Sequence, residues 1–224
     1  MNTLTKLAMG LMGQLRPAPP VGDSAPAKAL PPARHRGGTR LVDALRRRQS
    51  QRAFSPKPLT AQQLADVLWA ATGINRPELG GRTAPSAMNA QEVLVYAALA
   101  EGLYVYDPAA HQLRLAAATD VRRVSGYQDF VDTAPLDLIY VADHDRMTLV
   151  PPARRQGYAF AAAGAMAQNV YLTCASLGLS TVIRGWFDGD ALTRAMALGP
   201  DHEVLLAQTV GRPGAAAATA SSAP

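Results

Sequence analysis

One cysteine, Cys174, occurs among 224 residues, which excludes an internal disulfide framework and any cysteine-based zinc cluster within one chain. Phosphate-binding glycine loops are missing as well. No Gly-x-Gly-x-x-Gly follows a strand-like run, and no Walker-type loop occurs. There is no Gly-x-Ser-x-Gly nucleophile elbow. The histidines His35, His111, His144 and His202 lie far apart in loops or tails, so none gathers a metal set or a triad. Asp143-His144-Asp145 is the densest group of such side chains, and its place after an apolar run also fits a plain polar turn. No apolar run approaches the length of a membrane span. With no side-chain nucleophile beside an orienting base, an enzyme built on this chain would leave its chemistry to a cofactor.

Charge is present but uneven. Residues 1–52 hold ten Lys/Arg against two Asp/Glu, whereas the remainder holds twelve against fifteen. The basic character thus belongs to the front of the chain. That arm is rich in Pro and Ala, has no aromatic residue before Phe54 and shows no sustained amphipathic helix, which argues against a nucleic-acid partner. The first fifteen residues carry one Lys and then a short apolar stretch, at the lower limit for an export signal. Cytoplasmic residence is the expectation, with export to the periplasm as the alternative, and no membrane partner is expected. Residues 1–38 read as a flexible, basic, Pro-rich segment, 39–213 as a single domain, and 214–224 as a disordered tail.

Within the domain, Thr39 is placed to cap a helix with Leu41, Val42 and Leu45 as its apolar positions. Thr60-Ala61-Gln62-Gln63 is a capping box for a helix with Leu64, Val67, Leu68 and Ala71 on one face, ended by Gly73. Residues 74–90 read as a long loop. Val93, Val95 and Ala97 alternate as a strand, and 103–106 and 112–115 bracket a hairpin. A short helix is expected over 120–124, a central strand over 136–142 and a long Ala-rich helix over 154–177, stopped by Gly178. Strand 181–183, helix 190–196 and strand 204–210 follow. Helices and strands mix without regular βαβ alternation, which predicts an α+β fold.

Two segments carry the chemistry. Arg48-Gln49-Ser50-Gln51-Arg52 places two guanidinium forks and a hydroxyl within five residues, a donor set suited to a phosphate. Ala84-Pro85-Ser86-Ala87-Met88-Asn89-Ala90-Gln91 is a loop of small and amide-bearing residues, able to read the mixed polar edge of a heterocycle. Together they point to a phosphorylated, ring-bearing cofactor. Arg46 and Arg47 fit a plainer role against the negative end of a helix dipole. Tyr127, Phe130 and Trp186 read as core or pocket wall, and Gln168 and Asn169 as helix-packing or interface groups.

These residues, from about Ala44 to Pro213, resemble the FMN-dependent nitroreductase family and its branch with SagB/ThcOx-type dehydrogenases. The resemblance rests on Arg48-x-Ser50-x-Arg52-x-Phe54, on the run from Leu68 to Pro77 and on Gly81-Arg82-Thr83-Ala84-Pro85-Ser86. Gly102-Leu103-Tyr104-x-Tyr106-Asp107, Ala167-Gln168-Asn169-Val170-Tyr171-Leu172, Gly178-Leu179-Ser180 and Gly211-Arg212-Pro213 continue it in order. It implies a mostly antiparallel central sheet flanked by helices, and a domain-entwined homodimer with FMN at the interface. Arg48, Ser50 and Arg52 would hold the phosphate and ribityl chain, with Gln49 alongside, where the family often has a second basic residue. Pro85, Ser86, Asn89 and Gln91 would reach the flavin ring of the partner subunit. Arg184-Gly185 would offer backbone to flavin N5, and Arg212 a further phosphate contact. The implied activity is NAD(P)H-driven, ping-pong reduction of nitroaromatic, quinone or similar acceptors. The alternatives are a SagB-type dehydrogenase oxidising a substrate bond and a non-enzymatic flavin-binding protein.

Overall fold

Val93–Leu99 and Leu136–Asp143 contain almost no polar residue, and a strand of that kind needs cover on both faces. The computed structural model, which describes residues 25–214, puts these two strands side by side near the middle of one sheet. The elements are β1 (Ala27–Ala29), α1 (Leu41–Arg47), β2 (Phe54–Ser55), α2 (Ala61–Thr72), β3 (Ile74–Arg76), β4 (Gly81–Arg82) and β5 (Val93–Leu99). They continue with β6 (Gly102–Asp107), β7 (Gln112–Ala117), β8 (Leu136–Asp143), α3 (Pro152–Leu177), β9 (Ser180–Arg184), α4 (Gly189–Ala195) and β10 (His202–Pro213). The main sheet runs β1-β7-β6-β5-β8-β10-β2, with β9 also on β10, and all its pairings are antiparallel. The fold is α+β, as the mixed element order predicts.

Alternation along the central strands divides the core in two. Val93, Val95, Ala97, Leu136, Leu138 and Tyr140 meet α2 and α3 through Leu64, Val67, Leu68, Met166, Val170 and Cys174. Leu94, Tyr96, Ala98, Ile139 and Val141 point the other way, to Val121, Leu192 and Met196. Leu68 is fully buried, worth roughly 1.5–3 kcal/mol relative to exposure. The Thr60–Gln63 capping box is formed in both directions. Gly178, at φ 67, stops α3 in the left-handed conformation, and the Gly178 and Leu179 N–H groups both return to the Cys174 carbonyl.

Four expectations are corrected. Thr39 does not cap α1: Arg40 holds that position without a side-chain bond, while the Thr39 hydroxyl accepts from the Arg47 guanidinium and the Thr39 N–H donates to Ser176 Oγ. Leu41, Val42 and Leu45 are exposed, and of α1 only Ala44 is buried. The 74–90 loop contains the β3–β4 hairpin. The helix expected over 120–124 is a single 3-10 turn, Arg122–Val124, because Asp120 folds back onto the Arg122 N–H and guanidinium.

Residues 25–38, expected as part of a flexible arm, lie against the domain. Ala27–Ala29 pairs with β7, the Arg34 guanidinium and N–H bind Asp66, and Gln62 donates to the Pro32 carbonyl. The export-signal stretch and residues 215–224 of the tail lie outside the described residues.

Candidate cofactor site

The Arg48–Arg52 segment leaves α1 in extended form and runs beside β9. Its course is set by two contacts. The Gln51 N–H donates to the Thr181 carbonyl at 3.0 Å, and the Ser50 and Tyr171 hydroxyls meet at 2.7 Å. Tyr171, on α3, also accepts the Ile183 N–H at 2.9 Å, so one buried phenol joins the segment, the helix and the strand. The Arg48 guanidinium stands 5.3 Å from the Tyr171 ring centroid. No carboxylate among the described residues pairs with Arg48 or Arg52. Arg52, Gln49 and Ser50 are exposed.

Arg212 arrives from the end of β10, where it pairs with Ser55, and its Nε is buried without a partner. A buried donor of that kind lacks the acceptor that buried polar groups ordinarily have. Thr181, which receives the Gln51 N–H, and Gly185, just past the end of β9, are about 13 Å apart by the rise of an extended strand. Gly185 is exposed, and a Cβ there would meet nothing nearer than Leu206 Cδ2 at 3.9 Å. Packing within the chain therefore gives no reason for glycine at 185. Room for a flat ring against the backbone does.

Arg184 contributes backbone only. Its guanidinium turns inward to Asp137 Oδ1 at 2.7 Å and to Ser125, which sequence reasoning missed. Burial works against both charges, holding the Asp137 carboxyl above and the Arg184 guanidinium below their ordinary ranges while each steadies the other. Arg at a strand end next to Gly185 gave no hint of this. The polar residue in an otherwise apolar strand, Asp137, was the available signal.

The 85–91 loop is held from within. Ser86 Oγ accepts the Gln91 N–H at 2.8 Å. The Gln91 amide donates to the Gly80 carbonyl and Asn89 Oδ1, and its oxygen accepts from Arg82 Nε. Gln91 is buried and fully engaged, so its part is to order the loop rather than to touch a ring. Arg82 also donates to the Thr72 carbonyl, and burial lowers its pKa to about 10. Met88, Asn89 and Gln91 sit at φ 54, 53 and 51, a conformation costly for residues with a Cβ. Pro85 and Met88 are exposed; Ser86 and Asn89 are half-buried. Asn169 Nδ2 ties the loop to α3 through the Thr83 carbonyl.

Asn169 and Tyr171 are two residues apart on α3, about 200° around the helix. Gln51 and Ser50 tie the arginine segment to Thr181 and to Tyr171, and Arg212 follows Gly211, which pairs with Ser180 at the start of β9, whereas Asn169 ties the loop before Pro85 to another side of α3. Among the described residues no three His, Cys, Asp or Glu converge as a metal set, and no helix is long and apolar enough to cross a membrane.

The model of the nitroreductase family matches residues 45–212. A Methanocaldococcus jannaschii protein provisionally named nitroreductase is 33% identical over 183 residues, covering 77% of this chain and 91% of its own. A crystal structure of a protein from Ralstonia eutropha JMP134, provisionally named likewise, is 48% identical with a TM-score of 0.82, covering 90% of this chain and 96% of that one. A Desulfovibrio desulfuricans structure in complex with FMN shares the fold at 22% identity and a TM-score of 0.58, over 79% of this chain and 88% of that one.

Proposed function

The chain belongs to the nitroreductase family, and from that premise we propose that it is an FMN-dependent oxidoreductase, reduced by NADH or NADPH and reoxidised by a nitroaromatic, quinone or similar acceptor in a ping-pong cycle. The observation that carries the reading is the arginine segment held beside β9 by the Gln51–Thr181 and Ser50–Tyr171 contacts. Arg48 and Arg52 have no carboxylate partner among the described residues, Arg212 Nε is buried without one, and the exposed Gly185 follows the far end of the strand.

Bound there, FMN would supply the hydride and electron chemistry that the side chains lack. Arg48, Arg52 and Arg212 bind its phosphate. Ser50, with its oxygen fixed by Tyr171, binds the ribityl chain, and Gln49 lies alongside. The Gly185 N–H faces the reacting edge, a fixed donor that needs no reorganisation when negative charge develops. Pro85, Ser86 and Asn89 fit a ring edge but stand on another side of α3 from the arginines, which favours a homodimer in which each loop completes the other subunit's site. The exposed Leu41, Val42, Leu45, Tyr158 and Phe160 are the apolar surface such a dimer would cover. Dependence on reduced nicotinamide carries cytoplasmic residence with it.

The test is the visible spectrum of the purified protein, followed by anaerobic NADH or NADPH. Flavin bands that bleach support the reading. Bands that persist transfer it to substrate dehydrogenation, and no flavin after incubation with FMN removes it. The double variant Arg48→Ala/Arg52→Ala should lose FMN affinity by about a hundredfold or more, since charge-assisted hydrogen bonds contribute ~1.5–3 kcal/mol each. Light scattering of the eluting protein, giving a dimer mass or a monomer mass, decides the assembly.

A further inference from the structure

The segment between β7 and β8 has little regular structure, yet it is fixed to the end of β9 by two adjacent contacts. Inside, the Arg184 guanidinium donates to the Ser125 carbonyl, to Ser125 Oγ at 3.1 Å and to Asp137 Oδ1 at 2.7 Å. Ser125 Oγ donates to Asp137 Oδ2 at 2.8 Å, and Thr209 Oγ1, on β10, donates to Asp137 Oδ1. Asp137 and Arg184 are essentially without solvent exposure. Outside, Tyr127 and Trp186 stack at 5.4 Å between centroids while both remain exposed. Between these contacts lies Gly126, where a Cβ would collide with Arg184 Nη1. The glycine is there because the guanidinium fills the space. Residues 125, 126 and 127 therefore engage 184 and 186 in turn, across the backbone of Gly185.

We propose that Asp137 and Arg184 are positioning residues whose buried pair latches residues 125–127 to the end of β9, and that this latch sets Tyr127 and Trp186 as a wall beside Gly185 that governs acceptor binding. A buried ion pair seldom adds net stability over apolar residues of the same size, but it fixes one arrangement of the elements it joins. Here it joins β8, β9 and β10 to an irregular segment whose other anchors, the buried Val121 and Val131 and the Phe54–Phe130 ring contact, lie to either side of residues 125–127. The kinetic half of the proposal rests on the flavin-enzyme reading; the latch itself does not.

The experiment uses the full-length protein, FMN-loaded, with fluorotryptophan in place of its two tryptophans, Trp69 and Trp186. The variants are Asp137→Leu/Arg184→Met, which removes both charges together and avoids leaving one buried alone, and Ser125→Ala, which removes one hydroxyl. In fluorine NMR the Trp186 resonance should sharpen and move toward the free amino acid, with Trp69 unmoved as internal control. The KM for menadione should rise by about fivefold or more in the double variant, with kcat changed less than about twofold, the signature of lost acceptor binding rather than lost transition-state contacts. Ser125→Ala should move both readouts the same way by less, and it decides the matter if the double variant does not fold. A folded variant with Trp186 in its wild-type place overturns the latch. A displaced Trp186 with unchanged KM overturns its role at the acceptor. If the wild type holds no flavin, the flavin reading fails, and the fluorine spectra still decide the latch.

Discussion

Ser50 and Tyr171 meet hydroxyl to hydroxyl at 2.7 Å, and the same phenolic oxygen accepts the Ile183 N–H at 2.9 Å. The phenolic oxygen thus joins the strand and the arginine segment and fixes where the Ser50 hydroxyl sits, whichever of the two hydroxyls donates. Tyr171→Phe keeps the ring under Arg48 and removes both bonds. Loss of about 1–2 kcal/mol in urea unfolding and about tenfold in FMN affinity by fluorescence titration is expected.

Gly185→Ala separates packing from cofactor contact. A methyl group at 185 meets only Leu206 Cδ2 in the chain itself, at 3.9 Å, an ordinary contact without a clash. The melting temperature of the flavin-free protein should stay within the ~0.5 kcal/mol typical of neutral surface changes. FMN affinity or the rate of hydride uptake in stopped flow should fall by at least about tenfold, because the methyl would stand where the ring must approach the backbone.

Glu92 is fully buried, and neither carboxyl oxygen has a hydrogen-bond partner. Burial raises its pKa, against the opposing influence of its own backbone, Ser86 and His144. The folded chain thus keeps a proton that the unfolded chain releases at an ordinary carboxyl pKa. The Glu92 contribution to stability is complete below that unfolded value and is lost as pH rises toward the folded one. Glu92→Gln removes the slope, so its melting temperature should gain on the wild type as pH rises from about 4 to about 7.

Cys174 is fully buried against the sheet, and burial pushes its thiol well above the ordinary range. A disulfide reagent such as DTNB should find no reactive thiol in the native protein and one per chain after unfolding in urea. Reaction in the absence of denaturant would show that α3 opens far more readily than its packing implies.

Elements with strong local signals were legible in the sequence. The capping box at Thr60 and Gln63, the glycine stop at Gly178 and the apolar run 136–142 each carry their own physics in adjacent residues. Ala27–Ala29 carried none. All three residues are exposed, and the strand is held by backbone pairing with Gln112–Arg114 and by the exposed Lys28–Glu101 ion pair. The Arg48–Arg52 cluster stands out in the sequence because guanidinium spacing has a chemical meaning before folding. The roles of Gln91, Arg184 and Gly126 were not, since each depends on a partner distant in sequence: Gly80 for Gln91, Asp137 for Arg184, and Arg184 itself for Gly126.

Strand β10 lies between β8 on one side and β9 and β2 on the other, and its residues 212 and 213 pair with Ser55 and Phe54. A ribosome therefore delivers the strand that joins β8 to β9 and β2 after every other strand among the described residues. Until residues 202–213 clear the exit tunnel, β8 has an open edge and the arginine segment has no sheet to lie along. Hairpins β5–β6–β7 and the α2 helix can form during synthesis, but the β8–β10–β9 part of the sheet cannot. The nascent chain has to hold an unpaired apolar strand in the interval, a state exposed to aggregation and to chaperone capture.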